Sequence, residues 1–122
     1  MRIYLAGAMT GIEHYNFPAF DEAADALEGL GHEVFNPANA DRLRGYDPVA
    51  LESDGTDAEL HGFDLRETLK TDLSWICDHA EAIALLPGWA DSKGVAAETA
   101  LARALNIPID YWYNFTEIGV AA

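Results

Sequence analysis

The residues best suited to chemistry in this chain lie in the string 87–98, PGWADSKGVAAE, with one further carboxylate upstream, Asp72. Residues 80–86 ahead of the string are few and mostly apolar, as in a strand covered on both faces. After it, Val95, Ala96, Ala97, Ala100, Leu101, Ala104 and Leu105 make a small-residue segment with strong helical preference. A loop that carries Ser92 and Gly94 into a helix amino terminus offers backbone N–H groups and a positive dipole end to an anion. Glu98 then falls outside the carboxyl end of a strand, where open α/β sheets bind ligands. The chemistry these types support is a phosphate-sized anion pocket beside a carboxylate. Asp72 comes three residues after Leu69 and four before Ile76, so it lies beside the inward stripe of its helix and not opposite it.

Placing these residues together requires alternating strands and helices. Residues 3–6 read as a first strand, followed by a loop over 7–15 whose Gly7 and Gly11 permit close backbone approach to a ligand. Asn16 is the expected cap of a helix starting near Phe17 and Pro18, with Phe17, Phe20, Ala24, Leu27 and Leu30 at helical spacing and Gly29 and Gly31 at its end. Residues 33–35 form a short second strand, and Asn36 and Pro37 turn the chain outward. From 38 to about 58 the expectation is an irregular loop, either a cover over the site or plain surface. A helix from Asp57 or Glu59 to Cys77 is predicted, with Leu65, Leu69, Leu73 and Ile76 inward. A third strand at 80–86, a helix at 95–105 and a fourth strand at 107–111 follow. This rhythm predicts an α/β fold: a doubly wound, mainly parallel sheet of four to five strands with helices on both faces, flavodoxin-like or Rossmann-like, as one domain over 1–122.

The formal charge of −14, from 21 acidic against 7 basic residues, repels nucleic-acid backbones, so no nucleic-acid partner is expected. An anionic substrate would need a locally positive pocket built from N–H groups, Lys93 or a nearby Arg. The single Cys77 excludes an internal disulfide and reads as a buried small hydrophobe. His14, His32, His61 and His79 are too scattered for a metal site or triad, and the acids Asp47, Asp54 and Asp57 lack EF-hand spacing, so neither metal nor cofactor is expected. The apolar start of the chain reads as a strand, and no stretch approaches the roughly 18 apolar residues of a membrane span. The cytoplasm is the expected compartment.

Three strings carry a family resemblance: IYLAGAMTG, NFPAFDEAADALEGLGHEVFNPA and DLSWICDHAEAIALLPGWADSKGVAAETALARALNIPI. They resemble the nucleoside 2-deoxyribosyltransferase superfamily, and more closely a branch of small phage and bacterial proteins placed with it. The resemblance implies a site made of Asp72, Ser92, Gly94 and Glu98, with Glu98 as the nucleophile at the anomeric carbon and Asp72 managing the departing base or holding a sugar hydroxyl. It also implies that the loop Gly7, Ala8, Met9 and Thr10 forms the second wall of a phosphate pocket. Serine at position 92, where relatives using free nucleosides carry Asp, implies a nucleoside 5′-monophosphate, because a carboxylate would repel phosphate. Asp91 offers an alternative carboxylate one residue away, and the first loop lacks the Arg that some nucleotide-specific relatives place there. The activity implied is cleavage or transfer at an N-glycosidic bond, hydrolysis being favoured, by a homodimer or larger assembly.

Each of these residues also has a plainer reading. Glu98 can be a carboxylate favoured by the helix dipole, Asp72 a partner of Arg66 or Lys70 on a solvated edge, and Ser92 an ordinary cap. Trp75 reads as a packing residue, and Trp89 either as packing or as a contact to a base or lid. Two other functions compete: a module on the same fold that binds or senses a nucleotide without turnover, and an acidic mimic of nucleic acid with ordered rows of carboxylates. The aromatic end, YWYNFTEIGV, is expected to cover a subunit contact or complete a neighbour's pocket.

Overall fold

Residues 2–6 and 82–85 are apolar almost throughout, and both segments lie at the centre of the sheet. The structure, a computed structural model, describes residues 1–49, 54, 55 and 64–118. Among them, strands β1 (Arg2–Ala6), β2 (Glu33–Phe35), β3 (Ala82–Leu85) and β4 (Ile109–Tyr111) form one sheet in the order β2-β1-β3-β4, every pairing parallel. The helices are α1 (Phe17–Gly29), α2 (Pro37–Leu43), α3 (Leu65–His79), α4 (Lys93–Ala104) and a short α5 (Asn114–Ile118). This is the predicted doubly wound α/β architecture, with the flavodoxin-like strand order and its switch point between β1 and β3.

The alternation of side chains along each strand divides the core between the two faces. Ile3, Leu5, Ala82 and Ala84 pack with Phe17, Phe20, Ala23, Ala24 and Leu27 of α1 and with Phe115 of α5. Tyr4, Ala6, Ile83 and Leu85 face the other way, toward Ile76 of α3 and Val95 and Ala102 of α4. Tyr4 is paired in register with Phe35 on one side and Ile83 on the other. A single polar-tipped residue therefore sits mid-sheet beneath the two helices that carry the predicted carboxylates.

Several local expectations need correction. Residues 38–43 are not irregular: Asn36 accepts a hydrogen bond at Oδ1 from the Ala38 N–H (3.0 Å), and Pro37 fills the first helical position of α2. With seven residues and only Pro37, Ala38 and Asp41 buried, α2 is too short to display a period. Asn16 precedes α1 but does not cap it; its backbone is left-handed (φ 61°) and its side-chain amide donates to the Ala8 carbonyl at 3.0 Å. Asp64 starts α3 by accepting from the Arg66 and Glu67 N–H groups, and the predicted helical residues 57–63 lie outside the described ones. Leu65 therefore occupies the first turn, 59 % exposed, and Leu30 follows the last turn of α1, 38 % exposed; neither is the inward residue its spacing suggested. Cys77 is exposed, turned about 100° around α3 from buried Ile76.

Phe115 is buried and Trp112 half-buried against the α1 face, while Tyr111 and Tyr113 stack on each other outside (5.4 Å between rings). The aromatic end thus serves this chain's own core in part. No helix among the described residues is long and apolar enough to cross a membrane.

Candidate functional site

Asp72, seven residues into α3, and Glu98, in the second turn of α4, converge on the hydroxyl of Tyr4. Both helices pack on the Tyr4 face of the sheet and against each other. The three side chains are almost wholly buried: Tyr4 at 0 %, Asp72 at 4 % and Glu98 at 6 % exposure. The Tyr4 hydroxyl donates a short hydrogen bond to Glu98 Oε2. Its ring is held from the side, stacked on Phe35 (5.3 Å, 13° between planes), and Trp75 packs on Phe35 in turn (5.2 Å). Trp75 is thus a packing residue that stiffens the support of the site.

Burial dominates the electrostatics. It lifts the Glu98 carboxyl to about 8, with Asp72 adding to the rise and the Tyr4 hydroxyl opposing it. It lifts Asp72 to about 7, helped by Asp41 and opposed by Tyr4 and Arg44. The same burial, then the two carboxyls, push the Tyr4 phenol well above the usual tyrosine range. One phenolic proton cannot serve two carboxylates at once. It goes to Glu98, and Asp72 Oδ1 stays buried without a hydrogen-bond partner among the described residues. A buried, unpartnered carboxyl oxygen beside a second carboxyl is unfavourable as structure, so the reading of Asp72 as a solvated partner of Arg66 or Lys70 is overturned.

A third carboxyl reaches the cluster from the region expected to be irregular. Asp41 of α2 is 3 % exposed and lifted to about 6 by burial, against the pull of Arg44 and Arg42. Arg44 lies 3.5 Å from Asp41 Oδ1 and donates from Nη1 to Thr68 Oγ1 at 3.4 Å, one turn before Asp72 on α3. Arg42 is engaged elsewhere, bidentate to Asp21 at 3.0 and 2.7 Å. That pair borders a separate open cleft of about 410 Å³, lined also by Asp25, Glu28, Asn36 and Asn39, to which none of the predicted site residues belongs.

The predicted anion loops meet at the switch point. Leu86 N–H donates to the Ala6 carbonyl (2.9 Å), and a Cβ added to Gly7 would stand 2.9 Å from Leu86 Cβ, so only glycine lets the ends of β1 and β3 approach this closely. Ala8 is anchored through Asn16, Met9 packs on the α1 side of the core, and Thr10 is exposed. Gly55 N-terminal to α3 closes over this loop: its carbonyl accepts from Gly11 N–H at 2.8 Å. His14, Tyr15 and Asn16 are all left-handed (φ 56°, 51° and 61°), a conformation costing roughly 1–2 kcal/mol per non-glycine residue, which tertiary contacts must offset. Buried Tyr15 and the Asn16 amide provide them.

Ser92 caps α4, its Oγ accepting from Val95 N–H at 3.3 Å. Gly94 lies one turn before Glu98 on the same side of α4, and among the described residues only Ser92 Oγ (3.7 Å) is near the place a Cβ would take. Trp89 is half-buried against the cluster around Tyr4. Asp91 and Lys93 are exposed. Sequence reasoning missed Tyr4, Asp41 and Arg44. The signal for Tyr4 was a phenol inside an otherwise aliphatic central strand; for Asp41 it was the Asn36-Pro37 helix start, which puts position 41 on the face of Ala38. Among the described residues no cluster of His, Cys, Asp and Glu has the arrangement to hold a metal ion. The family described as a domain of unknown function (DUF4406) matches residues 1–111. None of the curated proteins compared with the chain matches it.

Proposed function

The chain belongs to this DUF4406 family, and we propose that it acts on the N-glycosidic bond of a nucleoside or nucleoside 5′-monophosphate with Glu98 as the nucleophile. The observation that carries this reading is the convergence of Glu98 and Asp72, buried on two different helices, around the hydroxyl of Tyr4. Breaking the bond builds positive charge at the anomeric carbon. In the form of the protein that carries its proton on Asp72 and has Glu98 ionised, the Glu98 carboxylate attacks that carbon while the C–N bonding pair leaves with the base, and the base takes the proton of Asp72. Water then attacks the same carbon, its proton passes to Asp72, and the bond to Glu98 breaks, restoring both groups. A second base in place of water gives transfer; hydrolysis is the favoured outcome.

Tyr4 supports the ionised form of Glu98 against the effect of burial. Ser92, Gly94 and the loop Gly7 to Thr10 would receive the sugar's 5′ end, a hydroxyl and N–H groups suiting phosphate better than a carboxylate does. No metal or redox cofactor is required by this chemistry. The cytoplasm as compartment and a homodimer or larger assembly complete the proposal.

The test is incubation with a panel of deoxynucleosides, ribonucleosides and their monophosphates, with released base followed by chromatography. Release from at least one substrate, abolished in Glu98→Gln, is expected; no release from any would sink the reading. A module that binds or senses a nucleotide is the second reading, favoured by the elevation of Glu98 to about 8, which leaves its proton in place at neutral pH in the free protein. It predicts nucleotide binding that survives Glu98→Gln and yields no product.

A further inference from the structure

Asp41 is the one member of the buried carboxyl cluster that the proposed reaction leaves unused. Among the described residues only three acids are buried, and Asp41 is the least exposed of them. Apolar residues at buried ion-pair positions are often neutral or stabilising, so burial alone is a weak reason for a carboxyl here. Its partner, Arg44, is shared: the guanidinium lies 3.5 Å from Asp41 and reaches across to Thr68 Oγ1 on α3. This bridge holds the end of α2 against α3 one turn from Asp72. The charged and titratable groups acting on Asp72 are Asp41 and Arg44 from α2, Tyr4 from β1 and Glu98 from α4. Among the described residues, those acting on Glu98 are Tyr4 and Asp72. Asp41 therefore distinguishes two carboxyls that burial otherwise treats alike.

We infer that Asp41 is a positioning residue for Asp72: its charge, held against α3 by Arg44, keeps on Asp72 the proton that the departing base takes, and does so without acting on Glu98. The inference rests on the proposed role of Asp72 as the acid. In the first step the Asp72 O–H bond breaks and an N–H bond on the base forms, leaving two carboxylates side by side. Their repulsion is relieved when the proton of the attacking water returns to Asp72. Arg44, 3.5 Å from Asp41, favours the charged form of Asp41, whereas Asp72 Oδ1 has no hydrogen-bond partner among the described residues.

The experiment is a carbon-detected NMR titration of side-chain carboxyls in the free protein, comparing wild type, Asp41→Asn and Asp41→Glu, with Asp72→Asn and Glu98→Gln to assign the resonances. In Asp41→Asn the Asp72 midpoint should fall by about 1 pH unit, a like charge having been removed, while Glu98 holds or rises. Asp41→Glu should restore the Asp72 midpoint. A merely structural role would admit water and bring both carboxyls down together, and that result, or an unmoved Asp72, overturns the inference. In wild type, which depends on no variant folding, the Asp72 curve should carry an inflection at the Asp41 midpoint; its absence also overturns the inference. Because the readout needs no substrate, lack of base release would defeat the proposed function alone, and an unmoved Asp72 in an active enzyme would defeat this inference alone.

Discussion

Glu98→Gln should stabilise the protein at alkaline pH and leave it nearly unchanged in acid. In the folded protein the Glu98 carboxyl titrates at about 8, against an ordinary glutamate value of 4.5. Between those values the folded state keeps a proton that the unfolded chain has released. A raised folded value means stability is fully present below 4.5 and is lost as pH climbs through 8. At about 1.4 kcal/mol per pH unit, that gap sets an upper bound of about 5 kcal/mol on the loss. Coupling to Asp72, which rises for the same reason, spreads part of this over the pair. Glutamine has the shape of the protonated acid and can still accept the Tyr4 hydroxyl, but it cannot ionise. Urea unfolding of both proteins at pH 4, 7 and 9 should show nearly coincident midpoints at pH 4 and an advantage for the variant of about 2–5 kcal/mol at pH 9. A gap independent of pH, or a variant weaker at pH 9, would refute the claim that this carboxyl is held in a desolvated site.

Gly7→Ala should lower stability by about 1–3 kcal/mol in the same assay, since its Cβ would meet Leu86 Cβ at 2.9 Å and neither strand end can retreat. Gly94→Ala, with no atom of the described residues closer than 3.7 Å, should be neutral or stabilising by up to about 1 kcal/mol, because alanine favours the helix, so any loss of nucleotide binding in it would report on the ligand. Ser92→Asp keeps a cap on α4 but puts a negative charge where phosphate is proposed to sit. The ratio of kcat/KM for a monophosphate over its nucleoside should fall by about tenfold or more, whereas an unchanged ratio would move the phosphate away from this helix.

The strands, the parallel order and the two carboxylate helices were legible because long-period signals survive in a single sequence. Apolar runs at β1 and β3 can only be central strands, and α1, α3 and α4 are each long enough to show a face. What was not legible was the short and the shared. Helix α2 spans two turns, so its inward residues cannot repeat, and the acid it buries looked like one more surface charge among 21. Tyr4 reads as a strand former; its role depends on a hydroxyl that meets residues 68 and 94 positions away, a relation no local pattern encodes. Leu65 and Cys77 failed for a related reason, since the orientation of α3 is fixed by the Asp64 cap and by Ile76, and a shift of one residue turns a side chain outward.

The acidic balance of the chain has two different meanings in two places. A surplus of carboxylates spread over a surface is explained by solubility, and most of the described acids are placed so that water screens them. Solubility cannot explain Asp41, Asp72 and Glu98, which take no part in the surface field and oppose folding by remaining ionisable inside it. Helices α3 and α4 each deliver one of them to the hydroxyl of Tyr4, and α2 sets Asp41 beside Arg44, which reaches α3 one turn from Asp72. Random placement of acids on helix faces would leave them outside, and selection for stability alone would replace them with leucine or methionine. Burial, the convergence of Asp72 and Glu98, and an Asp72 oxygen unpartnered among the described residues form the pattern of groups held ready to exchange a proton or meet a developing positive charge. The location of these charges, not their number, marks the site.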